Sequence, residues 1–153
     1  MREQDERSNV EAEPTADLGA ALLQIATPLE KHAEDEAMKT VHQALTMQDT
    51  IGTLELAQLT DRLLTQCAGL TVGIETIPAD ERPVRGRGAL RDWAQLQQDG
   101  PGDGPLGTWS YARQLAVVAR SMVTALREHR ETTEGRAPYI GRPGLPPLTP
   151  SSP

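Results

Sequence analysis

Three histidines, a single cysteine, two serines inside the periodic part of the chain and a set of arginines are the side chains here with chemistry to offer. His32 and Glu36 stand four residues apart, as do Met38 and His42, and His129 lies between Glu128 and Arg130. Metal sites in helical bundles pair Glu with His at i, i+3 and gather further ligands from other helices. That pairing is missing, so the histidines read as solvated groups near helix ends, and neither metal nor cofactor is assigned. Ser110 and Ser121 sit in no Gly-x-Ser-x-Gly elbow. Cys67 has no cysteine to pair with, and its register points it into a helix's apolar face, whereas a nucleophilic thiolate needs an exposed, electropositive niche. The glycine-rich stretch Asp99–Gly107 lacks the Gly-x-x-x-x-Gly-Lys-Ser/Thr phosphate cradle and follows a helix instead of a strand. No residue is assigned a catalytic role.

Arginine is the strongest remaining signal. Arg113, Arg120 and Arg127 recur every seven residues along one edge of a helix, and Arg82, Arg85, Arg87 and Arg91 form a second cluster. The seven are a candidate anion or partner surface. The plainer alternative is a solvated edge bridging to acids such as Glu55, Asp61 and Glu75. Arg85-Gly-Arg-Gly88 resembles one copy of an RNA-binding repeat, without the aromatic residues that stack on bases. Beyond Gly135 come six prolines, and Arg142–Pro150 holds two Pro-x-x-Pro spacings suited to a polyproline helix but more often found in tethers.

Helices must position these groups. Trp109, Ala112, Ala116, Ala119, Val123 and Leu126 fall at alternating gaps of three and four. Tyr111, Leu115, Val118, Met122 and Ala125 make a second stripe beside them. Two adjoining stripes predict a long helix, 108–133, gripped by two others. Leu56, Leu59, Leu63, Cys67, Leu70, Ile74 and Ile77 predict another, capped by Thr53 and stopped at Pro78. Gly69 and Gly73 weaken it by about 1 kcal/mol each unless they admit a close neighbour. Shorter helices are predicted over 18–26, where Leu18, Leu22, Ile25 and Leu29 share a face and Pro28 forces an end, over 34–47, and over 89–98. Residues 79–88 and 99–107 read as turns and loop.

Composition sets the class. The 153 residues are 37% apolar with no Phe and 3% aromatic, so the core must be aliphatic, which favours helix over sheet. Residues 1–36 carry ten acids against three bases, while 37–153 are balanced, so the net charge of −7 belongs to the N-terminal arm. No basic field exists to gather phosphates, which argues against nucleic acid as the main partner. No apolar run reaches the eighteen or so residues of a membrane span, and the N-terminus lacks a signal peptide's apolar core, so the expectation is a cytoplasmic protein that does not enter membranes. The chain should be an all-α antiparallel bundle of four to five helices over 17–133. A disordered acidic arm (1–16) should precede it and a disordered Pro/Gly-rich tail (134–153) should follow.

Leu59-Thr-Asp-Arg-Leu63, Tyr111-Ala-Arg-Gln-Leu-Ala116 and Ala125-Leu-Arg-Glu-His129 together resemble a family of small actinobacterial proteins of unknown function labelled natural product biosynthesis proteins. The likeness spans about residues 17–133. Where that family often has Arg-Gly-His after the Leu-rich start, this chain has Leu64-Thr-Gln66. The resemblance implies a small all-helical protein and a place in secondary metabolism, with no reaction or site residue attached. The expected function is a non-catalytic interaction or regulatory protein with a protein partner or a second copy. Alternatives are a small-ligand-binding or enzymatic bundle using groups such as Tyr111 and His129 and, more weakly, nucleic-acid binding through the arginines.

Overall fold

In the computed structural model, residues 14–48 and 50–136 are described, the side chains of 14–17 excepted. Of the segments expected to be disordered, 1–13 and 137–153 lie outside them, while 14–16 and 134–135 are helical. Four helices follow in order: α1 (Pro14–Thr46), α2 (Thr53–Thr76), α3 (Val84–Asp99) and α4 (Gly104–Gly135). No strand occurs among the described residues. The fold is the expected all-helical bundle.

The two stripes of α4 explain the arrangement. Tyr111, Ala112, Leu115, Ala116, Val118, Ala119, Met122, Val123 and Ala125 are all buried, and Trp109 and Leu126 are half-buried at the stripe's ends. A face that wide packs against three helices, one more than its stripes predicted. α1, α2 and α3 all touch α4, α2 also touches both others, and α1 and α3 share no close backbone contact. Side-chain pairings give the directions. Cys67 on α2 meets Leu115, and Thr71 meets Met122, so α2 and α4 run parallel. On α1, Glu34 meets Arg130 while Leu45 meets Arg113, so α1 runs antiparallel to α4. The seven positions of the Leu56–Ile77 stripe are all buried.

Three boundaries differ from the sequence reading, each for a physical reason. The helices expected at 18–26 and 34–47 are one helix that runs through Pro28. Proline deletes one amide donor and crowds the preceding turn, but it does not disturb a ridge that keeps its helical gaps: Leu18, Leu22, Ile25, Leu29, Ala33, Ala37, Val41, Ala44. Helix α3 begins at Val84, so Arg85-Gly-Arg-Gly88 is helical. There Gly86 permits close approach, since a Cβ would lie 3.3 Å from Ala125 Cβ and 3.4 Å from Ile74 Cγ2. Helix α4 begins at Gly104 because Pro105 fits a first turn, where no amide donor is needed. Gly100 (φ 62°) and Gly104 (φ 77°) turn the shortened loop through the left-handed region that glycine tolerates. Thr53 is the first helical residue of α2, with Gly52 at the cap and no side-chain cap bond.

Candidate functional site

Arg82, Arg113 and Arg127 are tied into the bundle, while Arg85, Arg87, Arg91 and Arg120 face outward. Arg82 donates from Nε to the Ile74 carbonyl (3.2 Å) and from Nη2 to the carbonyls of Glu75 (3.2 Å) and Ile77 (3.0 Å). Arg113 donates from Nη1 to the Leu45 carbonyl at 2.9 Å and lies 4.8 Å from the centre of the Trp109 ring. These carbonyls lie at or just past helix C-termini, where only that of Ile74 accepts a capping amide, from Ile77 at 3.1 Å, and where a cation is favoured. Arg127 reaches Glu34 (Nε to Oε2, 3.3 Å) and Asp35 (Nη2 to Oδ1, 2.9 Å). Arg130, which the spacing of the arginines did not single out, donates to both oxygens of Glu34 at 2.9 and 2.7 Å. Glu34 is only 3% exposed, so both guanidiniums compensate one carboxylate taken from water. This bond raises the Arg130 pKa further. Arg85 sits 3.5 Å from Glu128 across α3 and α4, at an exposed position. Arg87, Arg91 and Arg120 are exposed, with no ion pair among the described residues. Arg113, Arg120 and Arg127 do lie along one edge of α4, toward α1, but the bridges expected to Glu55, Asp61 and Glu75 are replaced by those to Glu34 and Asp35.

Other candidate groups do not converge. Cys67 is fully buried and its thiol lies 3.6 Å from the Leu115 carbonyl oxygen as donor. Burial pushes that thiol up to about 12, so it stays protonated at neutral pH. Tyr111 is buried, with its pKa raised by burial and then by Cys67. His129 lies eighteen residues along the same helix, roughly 27 Å away at 1.5 Å per residue. His32 and His42 are exposed, and no group of three or more metal-ligating side chains is positioned to hold an ion among the described residues.

Two apolar-lined grooves flank α4. One, of about 550 Å³, lies between α3 and α4 beside Trp109 and Arg113. The other, of about 590 Å³, opens where α1 diverges from α2, between Ala33 on one side and Gly69 and Gly73 on the other. A Cβ on Gly69 would meet nothing within 4 Å, so Gly69 borders open space, whereas one on Gly73 would lie 3.4 Å from Leu126 Cδ2, so Gly73 does face the close neighbour the sequence suggested, on α4. Each groove holds one buried polar atom without a hydrogen-bond partner, Trp109 Nε1 in the first and Gln66 Oε1 in the second.

The strongest surface feature is one that residue chemistry did not flag. Leu18, Leu22, Ile25 and Leu29 were expected on one face of a packed helix, yet they are 56–61% exposed, and Leu23, on another side of the same segment, is 74% exposed. Their ridge continues into Ala37, Val41 and Ala44, which are buried. The cause is length. Helix α4 ends at Gly135 and α2 at Thr76, level with about residues 28–30 of α1, so residues 14–27 project past both by about 20 Å. A single packing ridge thus has partners over its second half and none over its first. Large contiguous apolar patches of this kind mark interaction sites. No family model, curated protein or solved structure matches the chain.

Proposed function

We propose that this is a non-catalytic interaction protein whose working surface is the projecting half of α1, which pairs with another helix. In keeping with the family resemblance, we place its role in natural product biosynthesis. The observation that carries the reading is the exposure of Leu18, Leu22, Ile25 and Leu29 on a ridge that is buried further along the same helix. The residues at 18, 22, 25 and 29 keep gaps of 4, 3 and 4, the spacing of a coiled-coil seam. Gly19, Ala21 and Ala26 flank that seam and allow a close approach. Amphipathic helices recognise such faces through anchors at i, i+3, i+4 and i+7.

Magnitudes fix what the partner must bring. Completing the burial of the four seam side chains contributes about 1–2 kcal/mol apiece, or roughly 4–8 kcal/mol from this chain. Association costs about 4–15 kcal/mol in lost freedom. The partner must therefore offer a comparable apolar stripe. A fluorescently labelled three-heptad peptide with Leu at the a and d positions tests the surface. Its anisotropy should rise saturably with the wild-type chain and stay flat with Leu22→Asp, which adds a charge on the projecting face but none in the core. Equal binding to both would refute the assignment of the face.

A further inference from the structure

We infer that the helix received by the projecting half of α1 is the same segment of a second copy, laid antiparallel. This partner rests on the helix-pairing reading above and gives it a specific occupant. The stripe is complementary to itself. Under a two-fold axis between residues 23 and 24, Leu18 of one copy faces Leu29 of the other and Leu22 faces Ile25. Every seam position then meets an apolar one, as an isologous interface requires. Direction follows from charge. The first 36 residues carry ten acids and three bases. Six of those acids precede the seam and Glu30, Glu34, Asp35 and Glu36 follow it; a parallel pair sets the six against the same six, whereas an antiparallel pair sets them against the four, of which Glu34 and Asp35 are already paired with Arg127 and Arg130. Space follows from the α1–α2 groove. Ala33, the next position on the ridge, lines that groove and is itself exposed, so the start of the incoming helix finds room beside the bundle.

Area sets the strength. At roughly 60–120 Å² for each fully buried aliphatic side chain, the exposed parts of the four seam residues on each copy release about 300–600 Å² of apolar surface in total. That lies below the roughly 1,000 Å² of a firm interface. The pair is a reversible dimer that dissociates on dilution.

Sedimentation equilibrium of the full chain from about 5 to 500 μM tests this. The mean mass should climb toward twice that of the monomer, and Leu22→Asp should weaken association at least about thirtyfold with an unchanged melting temperature; Ile25→Asp should repeat the result. Direction is read by mixing Leu22→Cys with Ile25→Cys under oxidation, with the fully buried Cys67 silent. Mixed disulfides should dominate. Disulfides within each single variant in preference to mixed ones would overturn the antiparallel pair. A wild-type chain that is monomeric throughout would overturn the second copy as partner. In that case the labelled heptad peptide separates the two failures. Binding to wild type and not to Leu22→Asp would leave the helix-pairing face standing with a foreign partner, and no binding would remove both.

Discussion

Val123 and Arg120 sit three residues apart on α4 and face opposite environments, at 1% exposure and on the open surface respectively. Val123→Asp buries an unpaired carboxylate and should cost several kcal/mol, enough to unfold a marginal domain. Arg120→Ala removes a solvated charge and should cost well under 1 kcal/mol. Chemical denaturation of the two variants checks both, and equal losses would mean that the faces of α4 are reversed. Cys67 gives a pH signature. Its thiol pKa is raised from 9.0 to about 12 in the fold by burial. Its contribution is therefore complete below about pH 9 and is lost as pH rises toward 12, because the unfolded chain releases that proton first. Unfolding free energy should fall by up to about 1.4 kcal/mol per pH unit above pH 9, and Cys67→Ala should flatten the slope, leaving the smaller share of Tyr111. An unaltered slope would contradict the burial. The inward register of Cys67 was legible in the spacing around it. The partners of Arg113 and Arg127 were not: Leu45 and Glu34 lie 68 and 93 residues away in sequence, and only the antiparallel packing of α1 on α4 brings them within reach.

Helices α2 and α4 were legible almost residue by residue, because a buried stripe must repeat at helical gaps wherever its neighbours lie. Their neighbours were less so. The number of helices around α4 depends on how far its two stripes diverge in angle, and three fit where two were expected. Proline and glycine misled at element ends for the same reason in each case. Pro28, Pro105 and the pair of glycines within Arg85–Gly88 act as breakers only if the local packing does not favour a helix, and here it does. Gly107 is the sharpest instance. It is helical, yet a Cβ on it would fall 2.2 Å from the Gly102 carbonyl oxygen. Intrinsic propensity predicts that Gly107→Ala stabilises α4 by about 1 kcal/mol. The packing predicts the reverse, since the clash is with backbone. Thermal melting should show a loss of at least about 1 kcal/mol, with the 100–103 loop displaced from α4; a gain would mean that the loop does not pack there.

At the scale of the whole molecule, the bundle is closed at one end and stepped at the other. The core is continuous from Leu56 and Tyr111 to Ile74 and Ala125, drawn from all four helices. No described helix is long and apolar enough to cross a membrane. The sequence showed that α1 carries an apolar ridge, and the ridge alone reads as core. It could not show that the ridge outruns α2 and α4, because that depends on where three helices end relative to one another in space. Such a mismatch turns a packing feature into a surface one. Amide hydrogen exchange over residues 18–29, followed as protein concentration is raised, tests this most directly. Exchange should be fast in dilute solution, with protection that grows with concentration in the wild type and no such growth in Leu22→Asp. Rates that are equally slow at every concentration in both proteins would show that the first half of α1 is already covered within its own chain, and would contradict the projecting face.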